Sequence, residues 1–404
     1  MLKLFKDIVL FALIFSFIND NTVEVLLGSF GVKALFILFV AVHIPDIIKF
    51  ATRSANNNVM KSFYLFISIF SIIVLISVIF FDLVEFSTGF MYPISIFVIF
   101  TYFTYYEEFE KVLYFIWGSV FASSIISLFN EPVSQYTFRR GGGNLSPDEF
   151  ASHLLLAIFV TIYLYTQNKK IVFLVPSLLL FIYATLYTGS KTALLTLFVL
   201  LVYTLVVRFS NVFKYIFSLK GVLSFAVIIG VFIQADLFNK VTAFKGIQER
   251  AKSMRTAEQR FNAWDAATRM IPDHFFIGVG VNQFYKNTDK YLRAYLPVRD
   301  LHPHNNFVKI FGETGVFSFL SFLLFMLFLF REKYRYIIKS DYYWISLASL
   351  SVVMVGMTIN STYDKHFWLA LALLSHVVYR LNKSDEQNMD RDISNESQQI
   401  QIKV

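Results

Sequence analysis

The sequence predicts an all-α polytopic membrane protein of about twelve transmembrane helices with one large periplasmic loop. Three observations predict it. Charge is scarce: 16% of the 404 residues are charged and 56% are hydrophobic, against about 25% charged in a soluble globular protein. Apolar runs of about 20 residues, the length of a bilayer crossing, recur along the chain and are unbroken, as in helices, rather than alternating as in the strands of a barrel. One polar stretch, residues 236–305, separates two sets of such runs. Mean hydropathy is +0.58.

The spans are expected at 6–19, 31–50, 62–82, 88–105, 112–129, 150–167, 170–187, 192–208, 220–236, 306–330, 342–361 and 366–380. The division that follows is residues 1–235 with the first nine helices, 236–305 as a large loop with short helices, 306–381 with the last three helices, and 382–404 as a disordered cytoplasmic tail. The tail is polar and almost free of aromatics, so it has little apolar surface to bury. The N-terminal stretch MLKLFKDIVLFALIFSFIND imitates a signal peptide, but no small-residue cleavage site precedes Asn19 and Asp20. It is read as a retained first span.

Orientation follows from the basic residues. Lys3, Lys6, Arg53, Lys61, Lys169, Lys170, Arg208, Lys214, Lys220, Arg331, Lys333, Arg335 and Lys339 all fall on one side of this map, while the opposite turn from Asp82 to Ser87 has no Lys or Arg. That bias puts both termini in the cytoplasm and residues 236–305 outside. The net charge of +8 is thereby explained by topology, with no nucleic-acid partner implied. The chain has no cysteine, which excludes disulfides, thiol catalysis and Cys-ligated metal. Neither a short-period repeat nor inverted halves with paired broken helices is visible, which weighs against a secondary transporter.

Three outward segments carry candidate chemistry. In the first, Ser146-Pro147-Asp148-Glu149 reads as a capping box with proline at the first helical position. Arg139, Arg140 and Gly141 to Gly143 stand just before it. Glycine backbone, a helix N-terminus and the guanidinium fork suit an anion; alone, the same residues also describe a flexible basic loop. In the second, Thr188-Gly189-Ser190-Lys191-Thr192 makes a tight turn, and a lone Lys191 at a span end commonly snorkels to the interface.

The third segment is the long loop. Thr256-Ala257-Glu258-Gln259 reads as another capping box, so a helix is expected from about Ala257 to Met270, ending near Pro272. Arg260 and Trp264, four apart, share its face, where the indole can hold the guanidinium. Ile277-Gly278-Val279-Gly280-Val281 is turn-rich and lacks the third glycine of a dinucleotide fingerprint. The loop closes on His302-Pro303-His304-Asn305, where histidine is suited to move a proton near neutral pH. A structural loop histidine and a metal site remain open there; for a metal, only Asp300 and His274 stand near as further ligands. Beyond it, Lys309 and Glu313 are expected to pair with each other.

Together these stretches resemble the bacterial O-antigen ligase and O-antigen polymerase superfamily, over roughly residues 135–320. FRRGGGNLSPDEFA resembles the family's loop before a span. RFNAWDAATRMIPDHFFIGVGVNQF is similar to its Arg, Trp, Pro and Phe-Gly-Val-Gly run, and HPHNNFVKIFGETG to its His-Asn and Glu-x-Gly element. YTGSKTALL resembles the Ser-Arg turn with Lys191 in place of Arg, which keeps the charge and loses the fork.

The resemblance implies an inverting, metal-independent glycosyltransferase that needs no cofactor. Its donor would be a glycan on undecaprenyl pyrophosphate, and its acceptor lipid A-core or a second carrier-linked glycan. Arg139 or Arg140, Lys191 and Arg260 would clamp the pyrophosphate, with Trp264 and His302 lining the site. His304 would be the base and Asn305 its orienting partner. Membrane lipid, and a chain-length regulator, are the remaining candidate partners; the setting is the bacterial inner membrane with the site facing the periplasm. Ligase and polymerase both stay open. The spacing from His304-Asn305 to Gly315 resembles the ligase pattern, but Ser318 and Trp264 depart from it. A lipid-linked glycan flippase is the alternative from another class; it would use ionisable residues within the bilayer, for which only His43 and Asp46 offer themselves.

Overall fold

The structure is a computed structural model that describes residues 2–19, 23, 29–52, 57–81, 86–129, 146–168, 174–209, 255–292, 301–359, 361 and 363–402. Its elements are α1 (Leu2–Ile18), α2 (Ser29–Ala51), α3 (Asn58–Phe81), α4 (Phe86–Tyr105), α5 (Phe109–Phe129), α6 (Pro147–Gln167), α7 (Leu174–Thr188) and α8 (Lys191–Arg208). Then come α9 (Arg255–Asp273), α10 (Phe284–Thr288), a 3-10 turn (Asp289–Tyr291), α11 (Asn306–Arg331), α12 (Tyr334–Lys339), α13 (Tyr343–Gly356) and α14 (Lys365–Ile402). Among the described residues there is no strand, and six helices are long and apolar enough to cross a membrane. The protein is an all-α membrane protein.

Apolar helices stand where spans were expected, except that the ninth, 220–236, lies outside the described residues. So does much of the long loop. One expectation is corrected. Residues 382–402, predicted as a disordered tail, continue α14 as helix. Adding residues to an existing helix costs far less than nucleating one, so the packed apolar half of α14 can propagate into a polar sequence that would not start a helix.

The C-terminal helices are packed among the N-terminal ones: α11 lies on α3, α13 on α6 and α14 on α4. Where they meet, rings fill the core. Phe63 stacks on Phe100 with centroids 4.0 Å apart, and Trp368, fully buried, stacks on Phe66 at 5.7 Å. In lipid, such close packing rather than expulsion of water holds helices together. Several hydroxyls inside the bundle are satisfied locally or across helices, which lipid favours. Thr161 donates to the Ala157 carbonyl at 2.6 Å and Ser349 on α13 to the Ala370 carbonyl on α14 at 2.5 Å.

The charges sort to the two ends of the bundle. At one end Lys6 pairs with Asp46 at 2.7 Å, Lys111 with Asp7 at 2.8 Å and Lys3 with Glu108 at 2.7 Å. The opposite end, where α6 and α11 begin and α14 starts, carries the histidine segment.

Candidate functional site

The helix α9 is built to lie on the bundle. Ala263, Ala266, Ala267 and Met270 are buried on one side, and Ala267 and Met270 join Val279 and Phe284 in a small core of their own, against which Val308 of α11 packs. The helix begins at Arg255, one residue before the Thr256 expected to cap it, and Pro272 lies inside its last turn. A proline one residue from the end forfeits little, because few turns follow it.

After α9 the chain turns back onto α11 and locks into it through glycine. Gly315 has φ 74 and ψ −177 and interrupts the helix. This frees carbonyls of the preceding turn, which accept from the incoming loop: Val279 N–H donates to Gly312 at 2.9 Å and Gly280 N–H to Glu313 at 3.0 Å. In return Val316 N–H donates to the Phe275 carbonyl at 2.9 Å. The backbones touch so closely that a Cβ on Gly278 would stand 2.2 Å from the Glu313 carbonyl carbon, and one on Gly315 would stand 2.2 Å from the Phe276 oxygen. Both glycines also have positive φ, so no side chain fits on either count.

Glu313 completes the lock. Its carboxylate is buried and accepts from the N–H groups of Asn282 at 2.9 Å and Phe284 at 3.3 Å and from the Tyr363 hydroxyl at 2.5 Å. One acidic side chain thus joins the loop, α11 and the turn before α14. The expected Lys309–Glu313 pair is an interaction of charges without a direct ion-pair contact among the described residues. Lys309 instead holds its ammonium over the Tyr363 ring, 4.5 Å from the centroid, since Glu313 is already taken by three donors.

The histidine segment is fixed from both sides. Thr288 donates to the Leu301 carbonyl at 3.0 Å, and Trp264 Nε1–H donates to the Pro303 carbonyl at 2.6 Å. His304 follows with φ 44, a left-handed conformation that histidine tolerates better than most side chains but that still costs energy. Asn305 is the N-cap of α11: its Oδ1 accepts from Phe307 N–H at 2.9 Å and Val308 N–H at 3.2 Å. Those bonds make Asn305 the cap of α11, since an N-cap satisfies helix donors that have no other partner. Asn306, buried, exchanges two bonds with Ser361, Nδ2 to Oγ at 2.9 Å and Ser361 N–H to Oδ1 at 2.8 Å.

Burial, then the charges of Arg260 and His302, hold the His304 imidazole down to about 4, against an opposing pull from Asp148. At neutral pH it is therefore uncharged and able to accept a proton. Arg260 is half-buried, with its Nε lacking a hydrogen-bond partner. Its expected stacking on Trp264 is corrected: no cation–π contact joins them among the described residues, and the indole is committed to Pro303. His302 lies against Tyr285, centroids 5.1 Å apart, and 6.3 Å from His304.

The structure therefore brings Arg260, Trp264, His302, His304 and Asn305 together, with Asp148 from the start of α6. The expected cap there is present: Ser146 accepts from Glu149 N–H at 3.2 Å with Pro147 as the first helical residue. Lys191 stands exposed at the start of α8, after a turn in which Gly189 has φ 60. Arg139 and Arg140 lie outside the described residues, as does Asp300. Among the described residues no three His, Asp or Glu side chains are grouped to hold a metal ion. Sequence reasoning missed Asp148 as a neighbour of His304 and Tyr363 as a partner of Glu313. The acidic capping box signalled the first; no sequence signal carried the second.

Residues 176–323 match the family model described as O-Antigen ligase. The match runs from α7 into α11 and takes in Lys191, Arg260, Trp264, His302, His304 and Asn305, so the resemblance to the O-antigen ligase superfamily holds. It stops short of Tyr363 and leaves out Arg139 and Arg140. No curated protein matches the chain.

Proposed function

We propose that this membrane protein is an inverting, metal-independent glycosyltransferase of the ligase or polymerase type. It would move a glycan from undecaprenyl pyrophosphate to an acceptor hydroxyl at the periplasmic face of a bacterial inner membrane. One observation supports this above the others: an uncharged, rigidly held His304 beside Arg260, within the family-matching segment. In the reaction the acceptor oxygen attacks the anomeric carbon as the bond from that carbon to the pyrophosphate oxygen breaks. His304 takes the proton of the attacking hydroxyl, and the released pyrophosphate carries away the bonding electrons. Its growing charge needs cations already in place. Arg260, whose charge acts on His304, supplies one, and Arg139 or Arg140 with Lys191 complete the clamp. His302, Trp264 and Asn305 hold the segment that carries the base.

We favour lipid A-core as acceptor, on the spacing from His304 to Gly315. The departures at Trp264 and Ser318 keep a polymerase, with a second carrier-linked repeat as acceptor, as the other reading. A flippase is disfavoured by Asp46, whose carboxylate is already paired with Lys6 at 2.7 Å at the far end of the helices. The test is transfer by purified protein in EDTA, with and without lipid A-core. Product on lipid A-core alone supports the ligase and laddering on the carrier supports the polymerase. No covalent transfer in either arm refutes both.

A further inference from the structure

Among the described residues, Lys309 is the buried cation that the reaction described above leaves unused. It is 6% exposed and stands in the first turn of α11, where its own N–H donates to the Asn305 carbonyl at 2.9 Å. That places it one turn below His304, whose imidazole feels its charge. Its ammonium has a single contact among the described residues, the Tyr363 ring at 4.5 Å. Glu313 interacts with it through charge only, and spends its oxygens on hydrogen bonds from Asn282, Phe284 and Tyr363.

An ammonium carries three donors and an aromatic face satisfies none of them as a hydrogen-bond acceptor. A buried charge left in this state costs several kcal/mol, and apolar residues of the same volume are commonly more stable. The aromatic cage does have one use: it holds the ammonium in place without consuming its hydrogen bonds. A cation held so, beside a base and with no hydrogen-bond acceptor on its ammonium among the described residues, is set to receive an oxyanion from outside.

We propose that Lys309 is a substrate-binding residue whose ammonium takes an oxyanion of the bound substrate within reach of His304. The chemistry is that of a phosphate oxygen on the lipid-linked donor or a carboxylate on an acidic sugar. The proposal rests on the transferase reading and adds to it a cation that neither the clamp nor the base includes. Tyr363 and Glu313 position it, the ring by caging the ammonium and the carboxylate by drawing the tyrosine hydroxyl away.

The experiment uses the full-length protein in detergent, with inorganic pyrophosphate and glucuronate as separate probes. Wild type is reductively methylated with and without each probe, and modification of Lys309 is read by mass spectrometry. Binding of each probe is then measured for wild type and for Lys309→Met, alongside the melting temperature. One probe is expected to protect Lys309. The same probe should bind Lys309→Met about ten- to a hundredfold more weakly, the loss of a charge-assisted hydrogen bond. The melting temperature should hold or rise. Protection by pyrophosphate assigns the donor phosphate, and protection by glucuronate assigns an acidic sugar. Neither probe protecting Lys309, or binding unchanged in Lys309→Met, overturns the proposal. So does a fall in melting temperature with binding intact, which makes the lysine a prop for Tyr363. Unchanged binding of both probes in Lys309→Met with glycan transfer intact sinks this inference alone, whereas a wild type that neither binds pyrophosphate nor transfers glycan sinks the transferase reading with it.

Discussion

Trp264 on α9 donates its indole N–H to the carbonyl of Pro303 at 2.6 Å, one residue before His304. The amphipathic helix thereby grips the backbone that carries the base. Trp264→Phe keeps the ring and removes the donor. Its stability cost is expected to be small, about 1 kcal/mol, while the transfer rate falls at least about tenfold because the imidazole is no longer held in place. Parallel measurement of melting temperature and kcat checks it; a matched loss in both would make Trp264 a packing residue only.

His304→Ala is expected to abolish transfer and leave donor binding and membrane insertion largely intact. Full glycan transfer by this variant would remove His304 from the mechanism. Arg260→Lys retains the charge and loses the two-pronged pairing with phosphate, so a marked loss of activity is expected. An active Arg260→Lys protein would show that no bidentate contact is made.

The pH profile tests the electrostatics. With His304 held down to about 4 by burial and by Arg260, the acid limb of activity that belongs to it should lie near that value and not near its ordinary 6.5. A neighbouring positive charge opposes protonation, so Arg260→Met should raise the imidazole's affinity for a proton and move the limb to higher pH. Folding is linked in the same sense. Between about 6.5 and about 4 the unfolded imidazole takes up a proton that the folded one refuses, so this contribution to stability shrinks as pH falls through that window. His304→Gln should flatten that part of the stability curve, measured by melting temperature against pH.

Gly278→Ala and Gly315→Ala each force a Cβ to within 2.2 Å of backbone on the other segment, at positions with φ 78 and φ 74. The left-handed conformation alone costs about 1–2 kcal/mol for alanine, and the overlap adds to it. Both variants should melt well below the wild type, with the loop after α9 cut faster by protease. Wild-type resistance to cleavage would mean that the two segments are not in contact.

Glu313→Gln removes a charged acceptor of three hydrogen bonds and is expected to cost about 2–3 kcal/mol. Tyr363→Phe removes one donor of the three and should cost less. Melting temperatures of the two variants check the order.

Much of this protein could be read in one dimension. The spans were legible because a bilayer core accepts only long, closed, apolar helices, so composition and run length carry nearly all of the signal. The cap at Ser146 and the turn at Gly189 were legible because they depend on a few adjacent residues. His304 and Arg260 were singled out by residue type and by resemblance.

What only the tertiary structure decided is who partners whom. Sequence spacing paired Lys309 with Glu313 and Arg260 with Trp264, because residues four apart on a helix face each other. The fold gave Glu313 to Asn282, Phe284 and Tyr363, and the Trp264 indole to Pro303, because fixed backbone donors and a backbone carbonyl were brought closer by packing. Side-chain pairs along one helix are worth only a few tenths of a kcal/mol, whereas a buried polar group left without a partner costs 1–3 kcal/mol or more, in round figures of about that size. The larger penalty wins, and it is set by segments far apart in the chain. Local sequence therefore determined the helices, and the need to satisfy buried polar groups across those distances determined the site.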